Sequence, residues 1–210
     1  MKLKKVAALC ASAKAFHLYD QPQTDGLTRQ WLGDGACMYP LDGMPYLQEQ
    51  ELYRVFDVAE KTQVKLFYDH RDIPAAFCVS DWADGEKHAE NLGITIFDGG
   101  KTLVPLRYFG EVVFIQRQYV APLEDQMDFL EFYIREMKNG ERYVAAKTGM
   151  LLAGIILPVK VGAQLYDKLG SVVENLGNEL TSRRMDAENV EELIPPQMNV
   201  RELERKNEEA

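Results

Sequence analysis

Asp69-His70-Arg71-Asp72 sets an imidazole among two carboxylates and a guanidinium, side chains that exchange protons near neutral pH. Acid–base work at this run would require His70 and at least two acids to converge in one pocket, as in a hydrolase. His17 lies in an alternating stretch opposite Phe16 and Leu18, so it is expected to be exposed rather than catalytic. His88 sits in an irregular segment with no evident partner. The three histidines and three cysteines (Cys10, Cys37, Cys78) show no ligand spacing, so neither a metal site nor a cofactor is expected. Gly99-Gly100-Lys101-Thr102 invites a phosphate-loop reading. That pattern needs a glycine at position 95, which is Thr95, and a helix after the threonine, where a strand follows. A hairpin turn fits better. No serine occupies a Gly-x-Ser-x-Gly elbow. No catalytic residue is therefore assigned, and the chain is expected not to be an enzyme.

What remains is electrostatic. The first fourteen residues carry Lys2, Lys4, Lys5 and Lys14 and no acid. Lys2, Lys4 and Lys5 fall on more than one side of a helix. The segment reads either as a solvated surface helix or as one that faces phosphates. In the second case Lys2, Lys4, Lys5 and Lys14, with Arg117, would touch a DNA backbone without reading bases.

The elements that position these residues follow from periodicity. Lys2 to Ala13 reads as a helix, with Leu3, Val6, Ala7 and Cys10 at helical spacing. Strands are expected at Ala15 to Asp20, Thr28 to Leu32 and Ala36 to Leu41, with turns at Gln21 to Gly26 and Gly33-Asp34-Gly35. Glu49 to Glu60 reads as one helix and Val64 to Tyr68 as a strand. Asp69 to Asn91 reads as a long connection with a short helix near Glu86 to Asn91. Ile94 to Phe97, Lys101 to Tyr108 and Glu111 to Ile115 form two hairpins. Gln118 to Gln126 is a helix candidate ahead of three antiparallel strands between Asp128 and Val159. Asn139-Gly140 there predicts a two-residue type I′ turn, and Thr148-Gly149 turns the chain again. Gly162 to Leu176 reads as a helix with Gly177 at its C′ position. Asp186 to Ile194 reads as a short helix, and Asn199 to Glu209 as either a solvated tail helix or a disordered segment.

The units so delimited are 1–48, 49–116 with an irregular insertion at 69–91, 117–177, and a charged tail at 178–210. The net charge of −9 argues against whole-molecule affinity for nucleic acid and leaves room for a local basic patch. The chain is basic at its start; its last thirty-three residues hold nine acids against five bases. An odd cysteine count without metal spacing indicates a reducing, cytoplasmic setting. No run reaches the ~20 apolar residues of a membrane span, so no membrane association is expected.

Helix, strand, strand, strand recurs over Lys2 to Leu41, more loosely over Glu49 to Ile115, and again over Arg117 to Val159. This order resembles the building block of DNA polymerase processivity factors, the sliding clamps. The resemblance implies an α+β fold of antiparallel sheets with repeated helix-plus-three-strand units, DNA-clamp-like. It also implies strands outside, helices toward DNA, duplex DNA and a polymerase or other replication protein as partners, and ring closure through a homo-oligomer. The phrasing Trp31-Leu32-Gly33-Asp34-Gly35, then Tyr39-Pro40-Leu41-Asp42-Gly43-Met44-Pro45, resembles small phage and prophage proteins of clostridial bacteria. Gln164 to Leu169 is superficially similar to peptides that dock on replication clamps, but Leu165 and Leu169 have ordinary core spacing. The expected function is thus a clamp-like, DNA-associated replication accessory of a phage or prophage. An interaction module that reuses the fold without DNA is the alternative, and a hydrolase built on 69–72 comes last. The acidic stretch Glu188 to Glu209 would be an arm competing with DNA for the lysines.

Overall fold

The computed structural model describes residues 1–176. The expectations at Gly177, Asp186 to Ile194, Asn199 to Glu209 and the acidic arm lie outside them. The chain divides into a unit Met1–Lys160 and a second unit from Val161 onward. In the second unit residues 163–176 are helical (α4).

The first unit is α+β and mostly antiparallel. Helix α1 (Leu3–Ala13) leads into β1 (Ala15–Pro22), β2 (Thr28–Gly33) and β3 (Cys37–Pro40). Two short helices follow, α2 (Glu49–Val55) and α3 (Glu60–Gln63), then β4 (Phe67–Asp72). Strands β5 (Lys87–Asn91), β6 (Ile96–Asp98), β7 (Lys101–Tyr108) and β8 (Glu111–Gln116) come next. The unit closes with β9 (Leu130–Glu136), β10 (Arg142–Thr148) and β11 (Leu151–Ile156). All eleven strands join in one sheet, ordered β4-β1-β2-β3-β11-β10-β9-β5-β7-β6, with β8 on β7. Only the β1–β4 pairing is parallel. The strands between 49 and 116 are divided between the two ends of the sheet: β4 flanks β1, and β5 to β8 lie beyond β9.

Alternation along the strands gives the sheet two apolar faces. One buries Phe16, Leu18, Leu32, Tyr39, Val144 and Ile156 together with Val6, Ala7 and Cys10 of α1 and Leu52 of α2. The other buries Tyr19, Trp31, Tyr143 and Ile155, packed against Ile73, Phe77 and Val79 of the 73–86 connection. A strand buried on both faces loses its clean alternation, which is why β3 and β10 read as nearly continuous apolar runs.

Several expectations are corrected. Glu49 to Glu60 is not one helix. Asp57 takes φ 54°, and the Val58 N–H bonds back to the Tyr53 carbonyl at 2.8 Å, ending α2 early. The expected strand at Val64 to Tyr68 starts only at Phe67 and runs on to Asp72, so the charged run lies on a strand and not in a loop. The expected helix near Glu86 to Asn91 is β5, because pairing with β9 and β7 outweighs local preference. Gln118 to Gln126 is not α-helical. It belongs to 3-10 segments Arg117–Tyr119 and Ala121–Phe129, with Pro122 lacking an N–H and a break at Gln126. The Asn139-Gly140 turn is not type I′, since Gly140 alone has positive φ (82°). The Gly140 N–H reaches the Met137 carbonyl at 2.9 Å and the Met137 N–H the Glu141 carbonyl at 2.7 Å. That is a three-residue loop with glycine in the left-handed position. Among the described residues no helix is long and apolar enough to cross a membrane.

Candidate functional site

The five basic residues nominated for a DNA backbone start from α1 and the 3-10 segment beside it. Val6, Ala7 and Cys10 bury one side of α1 and leave its lysines outward. The Lys2 N–H donates to the Pro122 carbonyl at 2.8 Å, which sets the start of α1 against Ala121–Phe129. Lys5 forms an ion pair with Glu124, and the Met1 amine bonds Asp125 at 3.2 Å. Lys2, Lys4, Lys14 and Arg117 are exposed and form no direct ion pair among the described residues. Lys5 first, then Lys2 and Arg117, hold the Glu124 carboxyl below its ordinary value, so these three cations share one field. Lys14 caps the far end of α1 in the left-handed region (φ 56°), roughly 18 Å along the axis from Lys2. Five bases thus stand against Glu124, Asp125 and Asp128 across 1–14 and 117–129, in a molecule of charge −9.

The second constellation is Asp69-His70-Arg71-Asp72. On a strand, consecutive side chains point to opposite faces, so the run does not converge. Its parallel register with β1 pairs His17 with Asp69 and Leu18 with His70. On the face of Tyr19, His17 Nδ1 lies 3.3 Å from Asp69, and Arg71 Nε lies 3.1 Å from the same carboxylate. Arg71 also covers the Tyr19 ring at 5.5 Å. His17 is therefore only 15% exposed, short of the exposure expected of it, and serves to tie β1 to β4.

On the opposite face, His70 Nε2 stands 3.0 Å from Asp20 Oδ1 but off the line of a good hydrogen bond. The Tyr46 hydroxyl donates to Asp20 at 2.8 Å and Gln30 Nε2 at 3.0 Å. Burial alone would raise the Asp20 carboxyl. His70, Gln30 and Tyr46 together outweigh it and hold the group below its ordinary value. Tyr68 packs edge-on to His70 at 6.4 Å, and burial pushes its phenol up to about 12. These contacts join an imidazole, one carboxylate and phenols, with no activated nucleophile and no second acid shown on His70.

Sequence reasoning missed the most buried charges. Glu86, at the end of the irregular connection, receives Lys147 of β10 on Oε1 and Arg135 Nη2 of β9 on Oε2 at 2.6 Å. All three side chains are at most 4% exposed. Arg135 also donates to the carbonyls of Cys78 and Ser80 at 2.8 and 2.9 Å, and Lys147 lies 4.3 Å from the Tyr133 ring. Every polar atom of the cluster is thereby occupied, so it anchors 78–86 to the sheet. A charged residue at an inward position of an apolar strand was the only available signal. His88 packs on Tyr133 at 5.4 Å. Gly99 and Gly100, both at positive φ, form the β6–β7 turn. Burial raises the Cys10 and Cys37 thiols, so neither is poised as a thiolate. No group of three or more potential metal ligands occurs among the described residues. No family model, curated protein or solved structure matches the chain.

Proposed function

We propose that this chain is a non-enzymatic, clamp-like DNA-associated accessory protein whose α1 face lies toward the duplex backbone. The observation that carries the reading is the set of exposed cations Lys2, Lys4, Lys14 and Arg117, without an ion pair among the described residues, on α1 and the adjoining 3-10 segment of a strongly acidic molecule. The topology supports it. The central strands run β1-β2-β3-β11-β10-β9, so two helical-segment-plus-three-strand units meet antiparallel at their third strands. The helical segments preceding β1 and β9 pack against each other. Attraction of this kind is electrostatic, independent of sequence and steeply dependent on salt.

The test is the binding of a fluorescent duplex of about 30 base pairs across a salt series. Wild type is expected to bind at low salt, with log affinity falling linearly in log salt. Replacing Lys2, Lys4 and Lys14 together by glutamate should flatten that slope by about 3. No binding at low salt, or a slope unmoved by the triple variant, overturns the reading.

A second reading, an interaction module without DNA, is favoured by one feature. Phe129, just ahead of β9, and Met150 and Leu151 at the β10–β11 turn are 69%, 87% and 65% exposed, and the Gly149 N–H bonds the Phe129 carbonyl at 3.0 Å. Retention of a partner protein that is lost in Met150→Asp, with no affinity for duplex, would support that reading instead.

A further inference from the structure

The sheet has three borders, and they differ. Strand β6 is only three residues long. The edge of β8 is partly covered, since the Val159 N–H donates to the Phe114 carbonyl at 2.7 Å. Strand β4 has six residues and, among the described residues, pairs with β1 alone and has no strand on its other side. The Phe67 N–H bonds the Lys14 carbonyl at 2.9 Å and the Ile73 N–H the Asp20 carbonyl at 3.0 Å. Alternation between these two bonds turns the main-chain groups of 67, 69, 71 and 73 toward β1. It turns those of Tyr68, His70 and Asp72 outward, without a main-chain partner among the described residues. An edge of this kind is a template for another strand.

We infer that β4 pairs with β4 of a second copy of this chain, antiparallel and about a two-fold axis, with Asp69 of each copy opposite Arg71 of the other. The charges select both the occupant and the register. Only the outward residues 68, 70 and 72 can exchange ladder bonds, so like parity must meet across the axis. Three central registers satisfy that condition. One sets Asp69 against itself and another Arg71 against itself, like charges directly opposite. The third sets His70 on the axis and Tyr68 opposite Asp72. It also places the Asp69 carboxylate opposite the Arg71 guanidinium twice, on the face they share with Tyr19. The run is therefore self-complementary in one register. Phe67 and Arg71, 59% and 53% exposed, are open to such a neighbour. Self-pairing goes beyond the DNA reading, and its test leaves the lysines of α1 untouched.

Sedimentation equilibrium of the full chain at about 50 μM tests it. A mass near twice 23.9 kDa is expected for wild type. Arg71→Asp and Asp69→Arg should each weaken association by roughly tenfold or more, because each sets like charges opposite twice. The double variant, with the two charges exchanged, should regain the dimer, which separates a lost interface from a lost fold. A monomeric wild type overturns the inference and assigns the charges to protecting the edge instead. A dimer indifferent to Arg71→Asp overturns it equally.

Discussion

At the scale of single residues, two carboxylates show how burial and partners divide charge between structure and chemistry. Glu86 sits among Arg135 and Lys147 with almost no access to solvent, where each charge relies on the others for its solvation. Glu86→Gln leaves two buried cations without a counter-charge. It should cost about 3–5 kcal/mol, read as a lowered denaturation midpoint. A change below about 1 kcal/mol would show that water reaches the cluster. Asp20 differs in degree, being partly exposed and held below its ordinary value by His70, Gln30 and Tyr46. A depressed carboxyl contributes stability above its unfolded value, and that contribution disappears as pH falls through the folded value. The advantage of wild type over Asp20→Asn should be complete above about pH 5 and shrink below about pH 4. Urea denaturation at several pH values measures it, and a constant difference would contradict the assignment.

At the scale of elements, the turns decide register. Gly33 ends β2 where the chain folds back into β3, and a Cβ there would lie 1.8 Å from the Cys37 carbonyl oxygen. Gly154 in β11 would meet the Tyr39 ring at 2.7 Å. Backbone yields less than a ring, so Gly33→Ala should destabilise more than Gly154→Ala, by about 3 kcal/mol or more. Thermal unfolding of the two variants ranks them, and the reverse order would show that the β2–β3 turn can open. The turn glycines were legible, because positive φ selects glycine almost irrespective of context. The short helices were less so. Asp57 in the left-handed region and Pro122 at the start of a 3-10 segment end or alter helices that apolar spacing alone would continue.

For the whole molecule, the α+β class, α1, the strands of Lys2 to Leu41 and Asp128 to Val159, and the basic start of the chain were determined by the sequence. They rest on local periodicity, turn residues and charge, which need no distant partner. The charged run 69–72 illustrates the remainder. Its residue types suggested one acid–base cluster. The parallel pairing of β4 with β1, across fifty residues of chain, split it between two faces and joined His70 to Asp20 and His17 to Asp69. The anchoring of 78–86 by Arg135 and Lys147 was equally decided by tertiary structure. So was the strand at Lys87–Asn91. Side-chain alternation and turn chemistry act within a few residues. Which strands become neighbours depends on how the whole sheet buries its two faces, and only that choice brings distant charges together.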